Sequence, residues 1–278
     1  TGVIEVVGVY HTIEASIAPS SFLPSNIPEL IVWLDAADAS TVIESAGKVT
    51  AWNDKSGNNY HASQASSGQQ PTYNSIGLNN KGTLGFDGGD KLETPLFSAV
   101  LSQPNSIFIV AKYGDNPNGG YHSLLDGVDA SNRHRFILQS NTSYELSITS
   151  AISKTAANNV FRVHGGIFDS TNSSYFLDGI ETAGNVGTDG FNGVKVGHGV
   201  WGLLGSIAEI IVIDKKVSDD ERNSLHIYLS DKWGIAVSGT TPPPPNGSIS
   251  PSGSIQVLET TNQLFTMTPS ADYRITKV

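Results

Sequence analysis

Short runs of apolar or alternating residues recur along most of this chain, with turn residues between them. Between positions 29 and 237 they read ELIVWLD, GTLGFDG, SIFIVAKY, HRFILQS, YELSITS, FRVHGGIFD, SSYFLDG, NGVKVGHG and SIAEIIVID. Clusters rich in Gly, Asn and Asp bound them, such as GDNPNGG at 114–120 and DGVDASN at 126–132. Many short strands at this spacing are typical of two antiparallel sheets packed face to face. The pattern predicts an all-β sandwich.

One stretch, residues 218–234, departs from the strand pattern and predicts a helix. Ser218 and Glu221 stand at the spacing of a capping box, in which each side chain accepts a hydrogen bond from the other's backbone N–H. Acidic residues fill the first turn, where the helix dipole favours them, and Gly234 supplies the C-terminal stop. We expect the apolar stripe to pack on the core; it comprises Leu225, Tyr228, Leu229 and Trp233.

The two ends of the chain are separate from this main body. Residues 1–17 alternate as a strand does, and three prolines interrupt residues 18–28. The arm at 1–27 is either an extra edge strand of the main domain or a strand for oligomerisation or anchoring. A proline-rich linker at 238–248 predicts an extended spacer. The segment 249–278 alternates too, but it is too short to bury its own core and needs a partner, a second copy or further residues.

Composition excludes several classes of protein. The 278 residues include 16 Lys and Arg against 26 Asp and Glu, a formal net charge of -10, with no basic run. Nucleic acid and anionic membranes attract Lys and Arg, so neither is expected as a partner. No apolar stretch approaches the ~20 residues of a membrane-spanning helix. The chain has no cysteine, which excludes disulfides, thiolate catalysis and Cys-based zinc sites.

The order of several segments resembles laminin-G-like, concanavalin A-like jelly-roll domains. The opening segments are LIVWLDAADAST at 30–41, VTAWNDKSGNNYHASQ at 49–64, QPTY at 70–73 and LGFDGGDKLETP at 84–95. A hairpin at 161–181 and a closing strand, capped helix and Lys-Trp-Gly end at 202–235 complete the resemblance. It implies a two-sheet jelly roll over 28–237 with one C-terminal helix. Such domains are common in bacterial surface proteins and in bacteriophage virion proteins.

Elementary turn chemistry agrees with that fold. Asp178-Gly179 is a pair typical of hairpin turns, because Gly adopts positive φ without strain. The aspartates at 54–58 and 87–90 are expected to hydrogen-bond their own turns. Trp33 and Trp52 lie within apolar strands and are expected in the core.

No catalytic motif is visible. Glycoside hydrolases need two carboxylates facing the sugar, and Glu209 and Asp214 would point to opposite faces of one strand. Polysaccharide lyases of this fold carry runs such as Gln-Ile-His, which are absent here; His164 is interpreted as a strand histidine. The Gly-x-Ser-x-Gly elbow is also missing. We therefore do not expect an enzyme, although a glycoside hydrolase or lyase of the same fold stays an alternative.

Sugar binding needs an aromatic ring beside amide and carboxylate groups, and two loops offer them. The first loop spans 114–122. The second spans 198–202 and places an aromatic between glycines, although Trp201 could equally cover the core. The candidate glycan-binding residues are Asp115, Asn116, Asn118, Tyr121, His198 and Trp201.

The resemblance also implies a candidate calcium site at the rim of the sandwich, since laminin-G-like domains often hold one Ca²⁺ there. Ca²⁺ takes six to eight oxygen ligands, mostly from loops. The best local set is Asp126, Asp129 and Asn132, with Asp189 and Asn192 second. The alternative is acidic turn residues that face solvent.

These observations predict a non-catalytic surface binding or adhesion module that recognises glycans of a host or cell. Its expected location is a virion surface or the outside of a bacterium, where residues 1–27 would contact other virion subunits or form a homo-oligomer. Residues 1–9 lack the basic and apolar regions of a signal peptide, which favours the virion. A purely structural virion decoration protein is the second hypothesis.

Overall fold

The computed structural model describes residues 2–4, 11–15, 22–115, 120–140, 142–197, 202–240, 247–250, 253–257 and 263–269. The chain divides into two compact units. The larger runs from Leu23 to Thr241, and the smaller combines the chain ends, Thr1–Phe22 and Pro242–Val278. Each unit is described by itself below.

The first sheet of the larger unit is antiparallel throughout its described strands. In chain order its strands are β3 (Leu30–Asp35), β7 (Thr72–Leu78), β8 (Lys81–Asp87), β10 (Asn105–Tyr113), β15 (Arg162–Phe168), β16 (Ser173–Leu177), β17 (Ile180–Gly184) and β19 (Leu204–Ile213). Across the sheet they lie in the order β17-β16-β15-β10-β19-β8-β7, and β3 also pairs with β19.

The second sheet is antiparallel as well, with strand order 14-13-12-11-18-9-6-5-4. Its members are β4 (Val42–Ser45), β5 (Lys48–Trp52), β6 (Ala62–Ser63), β9 (Leu92–Glu93), β11 (His122–Gly127), β12 (Arg135–Ser140), β13 (Ser143–Ser147), β14 (Ala151–Thr155) and β18 (Val194–Val196). Short 3-10 turns lie at Pro24–Asn26, Ala39–Thr41, Ser67–Gln69 and Ser170–Asn172.

The core lies between the two sheets and takes alternate residues from each strand. Ile109 of β10 and Ile210 of β19 belong to it, as do Phe136 and Leu138 of β12. Trp52 is completely buried among them, as expected. Alternation of inward and outward side chains thus builds a two-layer core, and the predicted sandwich is confirmed.

The helix α1 (Asp219–Trp233) covers the outer face of the first sheet. Its N-terminus carries the predicted capping box of Ser218 and Glu221, and Gly234 ends it with φ +68. The ring of His226 packs edge-on against Phe108 of β10 and Phe176 of β16, at centroid distances of 5.7 and 5.8 Å. Because the helix buries this face, β10 and β19 are apolar on both sides, which explains their nearly continuous hydrophobic runs.

The predicted turn aspartates are confirmed. Asp178 and Gly179 have φ of 49 and 79, as a two-residue hairpin turn between β16 and β17 requires. Asp54 accepts hydrogen bonds from the backbone N–H groups of Trp33, Ser56 and Tyr60. Its carboxylate therefore organises a turn instead of facing a ligand.

The smaller unit joins the two ends of the chain through strand pairing. Its strands are β1 (Gly2–Ile4), β2 (His11–Ala15), β20 (Gly247–Ser250), β21 (Gly253–Val257) and β22 (Gln263–Pro269). β1 pairs with β22, β22 with β20, and β2 with β21, all antiparallel. The C-terminal segment thus finds its partner in the N-terminal arm, because neither can satisfy its strand edges alone. The boundaries given above for the arm, linker and tail stay predictions.

Candidate functional site

A cleft of about 500 Å³ opens at the end of the sandwich where β15 begins. The turn between β16 and β17 forms one wall, and the chain leaving α1 forms another. Its volume is within the range of small-ligand sites in proteins. The lining residues are Leu78, Asn159, Val160, Phe161, Arg162, Asp178, Gly234, Ile235 and Ala236.

An ion pair forms the polar part of this cleft. Arg162 Nη1 donates to Asp178 Oδ2 at 2.5 Å, and Asp178 Oδ1 accepts from the Val163 backbone N–H at 2.9 Å. The hairpin turn fixes the position of Asp178, so the guanidinium is held against the sheet. The Nε atom of Arg162 is buried and has no hydrogen-bond partner among the described residues. Because this nitrogen is buried, a ligand in the cleft cannot reach it, and the guanidinium also acts on the Tyr144 hydroxyl, where it opposes the rise in pKa that burial causes.

A second polar group comes from the loop before β15. Asn159 has φ +61, a left-handed conformation that asparagine tolerates better than most residues. Its backbone N–H donates to the Tyr113 carbonyl at 2.7 Å, and its Nδ2 donates to Asp115 Oδ1 at 2.6 Å. The Tyr144 hydroxyl donates to the Ala157 carbonyl at 2.8 Å and so anchors the loop from below. Burial raises the pKa of Tyr144, so this hydroxyl keeps its proton near neutral pH.

Apolar side chains stand beside these polar groups. Val160 is 47% exposed at the edge of the cleft, and Phe161 is half-buried. The Lys112 ammonium lies 5.2 Å from the centroid of the Phe161 ring, a cation–π contact. Leu78 and Ile235 add aliphatic surface to the walls. The cleft thus combines fixed donors and acceptors with apolar surface, the composition of sites that bind small polar ligands.

The predicted glycan-binding residues divide between this cleft and the second sheet. Asp115 lies at the cleft through its hydrogen bond to Asn159. Tyr121 is 42% exposed, and its hydroxyl accepts from Gln139 Nε2 of β12 at 3.2 Å. Four of the predicted residues lie outside the described ranges: Asn116, Asn118, His198 and Trp201.

The structure does not assemble the predicted calcium ligands. Asp126 is buried and faces Arg133, whose Nε donates to Oδ1 at 2.8 Å and whose Nη2 donates to Oδ2. Asp129 accepts from the Ser131 N–H at 2.9 Å and from Asn132 Nδ2 at 2.7 Å. An arginine paired with Asp126 repels a cation, and Asn132 presents its amide N–H to Asp129. Within the described ranges, no three His, Asp or Glu side chains stand close enough to hold a metal.

The alternative calcium residues differ from the first set. At Asp189 the backbone carbonyl accepts from Gln103 Nε2 at 2.9 Å and contacts His134 Nε2 at 3.1 Å. The Asn192 Oδ1 atom is buried without a hydrogen-bond partner among the described residues. The side-chain oxygens of these two residues alone fall short of the six to eight that calcium takes.

The outer face of the second sheet holds a second polar group that sequence reasoning missed. Arg135 and Gln139 alternate with the core residues of β12, and Glu145 occupies the outer side of β13. Burial raises the pKa of Glu145, while the nearby Arg135 charge acts in the opposite direction. Tyr121 joins this group through Gln139. Because only the pairing between strands brings these residues together, no local sequence motif predicts them as a group.

Two residues considered for catalysis have structural roles. His164 is buried, and its Nδ1 lies 2.8 Å from the Tyr175 hydroxyl within the core. Glu209 is completely buried under α1 and accepts from the indole N–H groups of Trp33 and Trp233 at 2.7 and 2.6 Å. Trp33 is buried as expected, but on the helix side of the sheet.

No family model matches the sequence, and no curated protein matches it either. Solved structures show the likeness instead. Domain 4 of AbnA, an extracellular arabinanase from Geobacillus stearothermophilus, in complex with arabinotriose, is 11% identical with a TM-score of 0.52; the match covers 74% of this chain and 98% of that one. The binding domain of Botulinum neurotoxin DC, in complex with rat synaptotagmin II, is 15% identical with a TM-score of 0.53, over 73% of this chain and 52% of that one.

Trypanosoma rangeli sialidase, in complex with the inhibitor DANA, gives 13% identity and a TM-score of 0.51 over 73% of this chain. The match spans about a third of the length of that sialidase, 33%. Identities this low show a shared β-sandwich fold. Among the described residues, no helix combines the length and the apolar character that a membrane span needs.

Proposed function

We propose that this chain is a non-catalytic glycan-binding module and that the cleft at the start of β15 is its binding site. The observation that carries the proposal is the Arg162–Asp178 pair held beside the Asn159 amide and the apolar Val160 and Phe161. The cleft offers donors and acceptors at fixed positions, next to exposed apolar surface.

Sugars match this combination of groups. Each hydroxyl both donates and accepts, so a ring pairs well with a guanidinium, a carboxylate and an amide that are already oriented. The C–H faces of a sugar ring pack on apolar and aromatic side chains, which Val160 and Phe161 provide. The arabinanase domain of similar fold was solved with arabinotriose, which supports a glycan as the ligand.

The experiment is a glycan array probed with the purified chain, with and without calcium. We expect selective binding that Val160→Asp abolishes, because a carboxylate at the edge of the cleft would stay hydrated and block entry. Leu96→Asp is the matched control, since Leu96 is an equally accessible apolar residue, 54% exposed, in the segment between β9 and β10. Binding that survives Val160→Asp, or binding nowhere on the array, contradicts the proposal.

Display on a virion or on a bacterial exterior is part of the same proposal, with the ends of the chain as the attachment. The purely structural alternative predicts a stable oligomer through residues 1–27 and no glycan binding. Light scattering of the full chain beside the array result separates the two.

A glycan-cleaving enzyme is the second candidate, and one observation favours it. Glu145, whose pKa burial raises, shares the outer face of the second sheet with Arg135 and Gln139. A raised carboxyl pKa is a feature that general acids share. Incubation of array-positive oligosaccharides with the protein, followed by mass spectrometry, tests this; shorter products that Glu145→Gln abolishes would establish catalysis.

A further inference from the structure

We infer that the cleft at the start of β15 selects uncharged glycans and rejects sugars that carry carboxylate or sulfate groups. This inference rests on the proposed function and adds the class of ligand. It follows from the balance of charge among the residues of the cleft.

The arginine of the cleft is already neutralised by an ion pair. Acidic sugars are recognised by guanidinium groups that are free to form two parallel hydrogen bonds to a carboxylate. Here Asp178 holds Arg162 at 2.5 Å, and the Val163 N–H fixes the same carboxylate from its other oxygen. A second carboxylate at Arg162 would have to approach Asp178, and like charges at that distance repel.

Two further charged residues lie at the edge of the cleft and have opposite signs. Lys112 contributes one positive charge beside Phe161, and Asp115 contributes one negative charge bound to the Asn159 amide. Since an amide carries no charge, it leaves the negative charge of Asp115 in place. Among these four described residues, the two positive and two negative charges therefore cancel.

The electrostatic field of the whole chain also disfavours anionic ligands. A formal net charge of -10 opposes the approach of anionic glycans, more strongly at low salt. A neutral sugar meets none of these penalties. It can donate to the oriented carboxylate of Asp178 without bringing a second negative charge beside it.

The test uses pairs of oligosaccharides, one neutral and one acidic: lactose with 3′-sialyllactose, which adds an acidic sugar, and galactotriose with trigalacturonate, in which carboxylates replace the C6 hydroxymethyl groups. Affinity of the full chain for each is measured by calorimetry, beside the neutral array ligands. We expect the neutral member of a pair that binds to bind about tenfold more tightly or better, since a desolvated carboxylate without a partner costs that much. Equal or tighter binding of the acidic member overturns the inference and leaves the proposed function standing. Absence of binding to every neutral and acidic glycan tested overturns both.

Two variants test the physical cause. Asp178→Asn exposes the charge of Arg162, and we expect it to reduce the preference for neutral sugars about tenfold or to reverse it. Asp115→Asn removes a negative charge without touching the hairpin turn, so it serves if Asp178→Asn fails to fold, and we expect it to reduce the preference about twofold. A preference that stays unchanged in each folded variant overturns the inference.

Discussion

Glu209 Oε2 lies 3.0 Å from Lys232 Nζ, in the buried layer between the first sheet and the helix. The glutamate belongs to β19 and the lysine to the last turn of α1. Lys232 also bonds Asp35 Oδ1 at 2.6 Å, and the Tyr228 hydroxyl donates to Glu209 Oε1 at 2.7 Å. Every oxygen of Glu209 thus has partners, which makes its burial tolerable and fixes where the helix sits.

Removal of that carboxylate is expected to destabilise the fold. Glu209→Ala should lower the free energy of unfolding by about 3 kcal/mol or more, because it leaves the Lys232 charge and two indole N–H groups underpaired. Urea unfolding followed by tryptophan fluorescence measures it. The control is Glu44→Ala on an exposed strand position, for which a change within about 0.5 kcal/mol is expected. Equal effects of the two substitutions would remove the structural role given to Glu209.

Buried histidines predict that the protein loses stability in mild acid. Burial lowers the pKa of His134 to about 3, that of His164 to about 3 and that of His226 to about 4. The unfolded value is about 6.5, so the unfolded chain binds protons first as pH falls. The contribution of the neutral histidines to the free energy of unfolding is fully present above pH 6.5, and it is lost as pH falls toward 3 or 4. At pH 5 each histidine should cost about 2 kcal/mol.

His134→Phe isolates one of these contributions. The imidazole stacks against Phe168 and Phe191 at 3.9 and 5.1 Å between centroids, so a phenyl ring fits the same slot. We expect the loss of stability between pH 7 and pH 5 to shrink by about 2 kcal/mol in this variant. Urea titrations at both pH values give the difference directly, and an unchanged pH dependence would show that His134 titrates normally.

The Asp126–Arg133 pair predicts the response to calcium. Since the guanidinium occupies the carboxylate that calcium would need, millimolar Ca²⁺ or EDTA should leave the midpoint of thermal unfolding unchanged. A ligand present at 100 times its Kd would add about 2.7 kcal/mol, which is easily detected. Asp126→Ala should instead lower the free energy of unfolding by about 3 kcal/mol, since it removes a buried carboxylate that accepts from Arg133 and from the Gly127 N–H. A rise of the midpoint with calcium would restore the original calcium hypothesis.

Strand pairing between the chain ends predicts mutual dependence. In the full chain, the amides of Gly2–Ile4 and His11–Ala15 should exchange slowly with deuterium, since they pair with β22 and β21. Deletion of residues 247–278 should expose them to fast exchange, while peptides from β10 and β19 keep their protection. Protection of the N-terminal strands that outlasts the deletion would assign them another partner.

Local sequence signals predict many of the elements of the fold. Ser218, Gly234 and the Asp178-Gly179 turn are recognisable because capping and positive φ depend on the residue types within one turn of chain. Pairing between distant strands is not encoded in that way. The sequence therefore predicts that both chain ends form strands, but it does not predict that these strands pair with each other.

The candidate site shows the same limit. Asp178 was assigned to its turn correctly, yet its ion pair with Arg162 depends on the register of β15 and β16. Acidic spacing alone predicts Asp126 as a calcium ligand, but it does not show that Arg133 folds back onto that carboxylate. The one signal that could have pointed to the cleft is the Asn-Asn pair at 158–159, since asparagine is favoured at positive φ.

The most direct test of the central claim is an NMR titration of the isotope-labelled chain with the strongest neutral ligand from the array. We expect the amide shifts to change most at Asn159, Val160 and Arg162, with smaller changes at Asp178 and Ile235. Saturation at the Kd found by calorimetry would tie those shifts to the same binding event. Shifts confined to the outer face of the second sheet, around Tyr121 and Gln139, would contradict the assignment of the cleft.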